Sequence, residues 1–196
     1  DTWDHFEKIP KEHLIFFILK KTGTALDSSH ALHSTAYRAL LQKLDSKFAI
    51  GLHPSYFSIE HDEFIANEKQ ELETVIHQEV FRSRQHYLRM KIPDTYRRLQ
   101  SAGIREDYSM LFADHCGFRT GTTHPYRFFD VEANEIQKIV IQPVVAMDRT
   151  LLKYQHCSAE EALNTLQLLI DQCRHFQGHC HIIWHNSSFD FRSEWK

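Results

Sequence analysis

Short apolar runs alternate with helix-like stretches along most of this chain, and that alternation limits the fold more than any other feature. "HLIFFILK" (His13 to Lys20), "FAIGLH" (Phe48 to His53), "EVFRSRQHYL" (Glu79 to Leu88), "IQKIVIQPVVAM" (Ile136 to Met147) and "CHIIWHN" (Cys180 to Asn186) read as strands. Between several of them lie "SSHALHSTAYRALLQKLDSK", "DEFIANEKQELETVIHQ", "PDTYRRLQSAG" and "SAEEALNTLQLLIDQCRHFQG", which carry helical patterns. The last opens with Ser158 and Glu161 at capping-box spacing and meets Gly178 as its expected stop. Strand alternating with helix predicts right-handed βαβ units, hence an α/β fold with a mostly parallel sheet, open or closed into a barrel. In both architectures a site gathers at the carboxyl ends of the strands.

The segment Asp107 to Asp130, "DYSMLFADHCGFRTGTTHPYRFFD", is the least regular and suits a substrate-binding loop or hairpin. No repeat or linker interrupts the chain. With 196 residues, 42% of them hydrophobic, one domain over residues 1–196 is expected.

Several classes are disfavoured at once. A formal charge of −3 without a Lys/Arg block leaves no footprint for nucleic acid. No apolar run approaches the roughly 20 residues that cross a bilayer, so no membrane-spanning segment is expected. "DTWDHFEKIP" lacks the regions of a signal peptide. Cys116, Cys157, Cys173 and Cys180 form no CxxC pair and read as reduced thiols, which favours a cytoplasmic setting. There is no GxSxG, GxxxxGK[ST] or GxGxxG, and "GFRTGT" follows no clear strand into a helix.

Among 15 histidines, His5, His30, His33, His61, His77 and His175 lie in polar, helix-like surroundings and read as surface residues. The placement rule leaves a smaller set. His53 follows the strand "FAIGL", Arg84 and His86 end "EVFRS", and His185 ends "CHIIW". A divalent metal held by imidazoles and a carboxylate activates water and polarises a carbonyl, as amide or ester hydrolysis requires. His53 and His86 would be the ligands, and His185 the acid that protonates the leaving amine. The plain alternative for each is a polar residue at a core boundary. By strand alternation Arg82 faces elsewhere; His115 and His124 fall in the irregular loop, and His179 and His181 read as exposed or packed against a neighbour.

"GLHPSYFS", "SRQHYLRMKIPDTYRRLQSAGI", "EDYSM", "GFRTGT", "MDRTLLKY" and "IIWHNSSF" are shared, in spirit and order, with a known group; over nearly its whole length the chain resembles the polysaccharide deacetylase-like proteins, the NodB-homology group of carbohydrate esterases, and in particular a bacterial branch. The resemblance implies a distorted (β/α) barrel and metal-dependent removal of acetyl groups from N-acetylated sugars of a bacterial polysaccharide or its precursor. It matches His53 to the first of two metal-binding histidines, Arg84 to an arginine that supports the catalytic base, and His185 to the catalytic acid. The cofactor expected is a divalent metal ion, zinc, and the partner a carbohydrate. Tyr87, Arg119, Tyr126 and Asp148 are the expected sugar contacts.

Two departures stand out. Phe57 occupies the place of the second histidine, for which His86 is the expected replacement. The paired aspartates that end an early strand in that group have no counterpart at Asp1 and Asp4, so the first strand and its carboxylates are expected upstream of residue 1. A catalytically degenerate, carbohydrate-binding barrel without metal is the alternative, and a plain α/β scaffold the fallback.

Overall fold

The computed structural model describes residues 5–20, 22 and 24–189. Within them the chain divides into two compact units, one formed by Glu7–Asp107 with Arg127–Val140, the other by residues 5–6, 108–126 and 141–189. The expected α/β architecture with mostly parallel strands is present. The strands form a six-stranded sheet in the first unit and a parallel pair in the second.

In the first unit the chain runs through β1 (Ile15–Leu19), α1 (Thr35–Asp45), β2 (Ala49–His53), α2 (Asp62–Ile76), β3 (Arg82–Ser83), α3 (Asp94–Ser101) and β4 (Glu106–Asp107). The strands β1 to β4 lie side by side and parallel, with Leu19 opposite His53, Leu52 opposite Ser83 and Ser83 opposite Asp107. A hairpin of β5 (Tyr126–Asp130) and β6 (Glu135–Ile141) completes the order β1-β2-β3-β4-β6-β5. The helices cover the sheet through apolar stripes at helical spacing, Leu41 and Leu44 on α1 and Ile65, Leu72, Val75 and Ile76 on α2. Each fully buried leucine or isoleucine contributes about 2 kcal/mol of burial.

Gly51 is required by close approach. A Cβ there would stand 2.5 Å from the Phe17 ring and 3.2 Å from the Arg82 carbonyl oxygen, so the neighbouring strands leave no room for a side chain.

Two expected strands are cut short. Of Glu79 to Leu88, only Arg82 and Ser83 pair in the sheet. The Arg84 N–H still donates to the Leu52 carbonyl at 3.0 Å, after which Tyr87 and Leu88 turn away with left-handed φ values of 56° and 52°. The run Ile136 to Met147 is two strands, β6 and β7 (Val144–Met147), in different sheets. They are separated at Gln142 and Pro143, where proline has no N–H to continue a ladder.

The second unit pairs β7 in parallel with β8 (His181–Ile183), with Val144 opposite His181 and Met147 opposite Ile183. A π-helical turn, Thr150–Tyr154, follows β7, and α4 (Ala159–His175) leads back to β8. Both halves of the capping box form: the Glu161 N–H donates to Ser158 Oγ at 3.2 Å and the Ser158 N–H to the Glu161 carboxylate at 2.8 Å. At the other end the left-handed residue is Gln177, φ 53°, one place before the expected glycine. Gly178 serves a different purpose, since a Cβ there would run into the side chain of Thr123.

Candidate functional site

His53 ends β2 as expected, buried with its ring held on both nitrogens. Nδ1 bonds the Arg84 carbonyl oxygen, which can only accept, so this nitrogen carries the ring proton. Nε2 then accepts from the Arg84 guanidinium at 2.8 Å. One residue therefore clamps the imidazole with both its backbone and its side chain. The His86 ring lies across that of His53, centroids 4.7 Å apart, and its Nδ1 donates to Asp27 Oδ1 at 2.9 Å.

Asp27 is a carboxylate that sequence reasoning missed. It follows β1, is buried, and accepts from the Tyr56 N–H at 2.9 Å and from the Thr22 and Thr24 hydroxyls at 2.6 and 3.2 Å. Burial pushes its pKa up, but the hydrogen bonds from Thr22, Tyr56 and His86 outweigh it and the net displacement is downward.

His53 and His86, expected as ligands of a divalent metal, both make hydrogen bonds here, His53 to Arg84 and His86 to Asp27. A ligand needs a lone pair directed at the ion, and the His53 lone pair is already covered by a guanidinium, itself a cation. Among the described residues, no group of three or more His, Cys, Asp and Glu side chains is placed to hold a metal ion.

In the second unit, His185 follows β8 and Asp148 follows β7, the carboxyl ends of adjacent parallel strands. His185 Nδ1 donates to Asp148 Oδ1 at 2.6 Å, and its backbone N–H donates to Oδ2 at 2.8 Å. Ser188 Oγ also donates to Oδ2, and the Arg149 N–H to Oδ1 at 2.7 Å. Burial raises the Asp148 pKa, yet the donors from His185 and Ser188 bring it below the usual carboxylate range.

Asp148, expected as a sugar contact, is wholly buried, with 0% of its surface exposed, and its carboxylate is taken up by His185. His185 is half-buried, and its Nε2 has no partner among the described residues. With Nδ1–H committed to a carboxylate, Nε2 keeps the lone pair that acid or base catalysis uses.

Of the other expected sugar contacts, Tyr87 is exposed beside His86, ring centroids 4.6 Å apart, in the first unit. Arg119 donates to the Leu111 carbonyl at 2.8 Å and lies over the Phe112 ring in the second. Tyr126 is half-buried at the start of β5.

No family model matches the chain, and no curated protein matches it in sequence. Among solved structures it is similar to a crystal structure of a Mycobacterium smegmatis protein provisionally described as a polysaccharide deacetylase, with a TM-score of 0.60 at 13% identity. The match takes in 93% of this chain and 60% of that one, so the chain spans about three fifths of the length of the structure it resembles. At this identity the likeness defines the fold, an α/β architecture of the kind seen in that protein.

Proposed function

We propose that the protein removes an acetyl group from an N-acetylated sugar by amide hydrolysis, with His185 as the proton-transferring residue and Asp148 as the group that orients it. The observation that carries this reading is the Asp148–His185 pair at adjacent strand ends. The likeness to a protein described as a polysaccharide deacetylase supports the choice of carbohydrate substrate. In this mechanism Nε2 takes a proton from water as the oxygen attacks the acetyl carbonyl, and the Asp148 carboxylate steadies the imidazolium that forms. Nε2 then returns the proton to the sugar nitrogen as the C–N bond breaks, releasing acetate and a free amine.

The test is acetate release from an N-acetylated chitin oligomer. The native protein should release it, and His185→Ala should lower the rate about 10²-fold or more with the fold kept. Full activity in the variant removes His185 from the mechanism.

A second reading, a carbohydrate-binding domain without chemistry, is favoured by one observation. The guanidinium of Arg84 bonds Nε2 of His53, the histidine to which the resemblance assigns a metal. Retention of the oligomer by the native protein with no acetate released would decide for it.

A further inference from the structure

A cavity of about 340 Å³ opens in the first unit at the carboxyl ends of β1 and β2, bounded on one side by α2. Its helical wall is Phe64, Asn67, Glu68 and Glu71, four positions at i, i+3, i+4 and i+7 that share one face. Phe57, from the turn after β2, faces the same space. This is the residue standing where the resemblance calls for a metal-binding imidazole. Its role here is to supply a ring.

The lining selects by charge. Among the described residues of the lining, Lys20 carries the one ammonium and is tied to Glu71 at 2.6 Å, while Asp27 and Glu68 add two further carboxylates. A phosphate, sulfate or uronate would meet net negative potential. Both Glu68 oxygens already accept from Ser55, one from its N–H at 2.8 Å and one from its hydroxyl. The Asn67 amide, by contrast, is exposed and has no hydrogen-bond partner among the described residues, so it can both donate to and accept from a ligand. Two phenyl rings beside an amide and carboxylates suit a pyranose, whose C–H faces pack on aromatic rings while its hydroxyls bond planar polar groups. The volume sits at the small end of ligand pockets, roughly 300 to 1,000 Å³, and has room for one sugar residue rather than a chain.

We infer that this cavity is a monosaccharide subsite for an uncharged or amine-bearing pyranose, with Phe57 and Phe64 as its apolar walls and Asn67 as its hydrogen-bonding group. The choice of a sugar as ligand rests on the proposed function.

Binding of N-acetylglucosamine, glucosamine and glucuronate to the native protein, followed by titration calorimetry and saturation-transfer NMR, tests it. N-acetylglucosamine or glucosamine should bind and glucuronate should not. Phe57→Ala should weaken binding about tenfold and Asn67→Ala about threefold to tenfold. Asn67→Ala lies on an exposed helix position where alanine is the better helix former, so the fold is kept. Equal binding of glucuronate, or unchanged affinity in both variants, overturns the subsite. Sugar binding lost on these substitutions without any acetate release upholds the subsite while the hydrolytic reading falls; acetate release with no monosaccharide binding does the reverse.

Discussion

His53 and His185 occupy the same topological place, the carboxyl end of a parallel strand, yet their surroundings fit them for different work. His53 is buried, and Arg84 engages its two nitrogens. His185 is half-buried, and Asp148 engages one, leaving Nε2 without a partner among the described residues. A histidine bonded at both nitrogens is a fixed joint. One bonded at a single nitrogen by a carboxylate can move a proton. Position in the fold selects candidates, and the second nitrogen separates a structural residue from a chemical one.

The sharpest way to break this comparison is Asp148→Asn. An amide offers an N–H as well as a carbonyl to His185, so it can hold the ring with the lone pair on Nδ1 and the proton on Nε2. Acetate release should fall about as far as in His185→Ala, about 10²-fold or more, because a wrong tautomer silences the ring without removing it. Rates measured on N-acetylated chitin oligomers beside circular dichroism of the variant check this. An undiminished rate would mean that the carboxylate does not govern the ring.

Next in size is the effect of opening the His53 clamp. His53→Ala removes both hydrogen bonds and leaves the Arg84 guanidinium buried against a void, at a cost of about 3 kcal/mol in unfolding free energy. A double-mutant cycle with Arg84→Ala should give a coupling of about 1 kcal/mol or more, read from urea midpoints. Additive losses would show that the two side chains do not depend on each other, and the contrast with His185 would then lose its structural half.

Much of this arrangement is written in local sequence. The runs ending at His53 and His185 form strands, and the Ser158–Glu161 capping box closes, because each depends on residues a few places apart. Features set at long range were not legible. Asp27 sits among polar residues in "KTGTALDSSH", and its burial comes from partners 29 and 59 positions away, Tyr56 and His86. The strand expected over Glu79 to Leu88 fails because the chain turns at Tyr87 and Leu88. There Arg89 holds the segment, donating to the Tyr56 carbonyl at 2.9 Å and stacking on the Tyr56 ring. Asp148 follows an apolar run just as a ligand-facing residue would. Only the approach of His185 and Ser188 turns it into a buried orienting group.

The smallest effect extends the comparison to acid stability, through one buried carboxylate from each unit. Asp148 has a folded pKa below its ordinary 3.8, so the unfolded chain binds the proton more tightly. Its contribution to stability is complete above the unfolded value and is lost as pH falls through the folded one. Glu68 is opposite in sign: burial chiefly raises its pKa above 4.5, against the lowering by Ser55. Its folded form binds the proton more tightly, so its contribution is complete below 4.5 and is lost as pH rises through the folded pKa. Urea unfolding between pH 3 and 7 should therefore show Asp148→Asn flattening the acid limb, while Glu68→Gln flattens the decline above pH 4.5. If both variants changed the slope in the same direction, the two carboxylates would not be the opposed pair that their hydrogen bonds and burial imply.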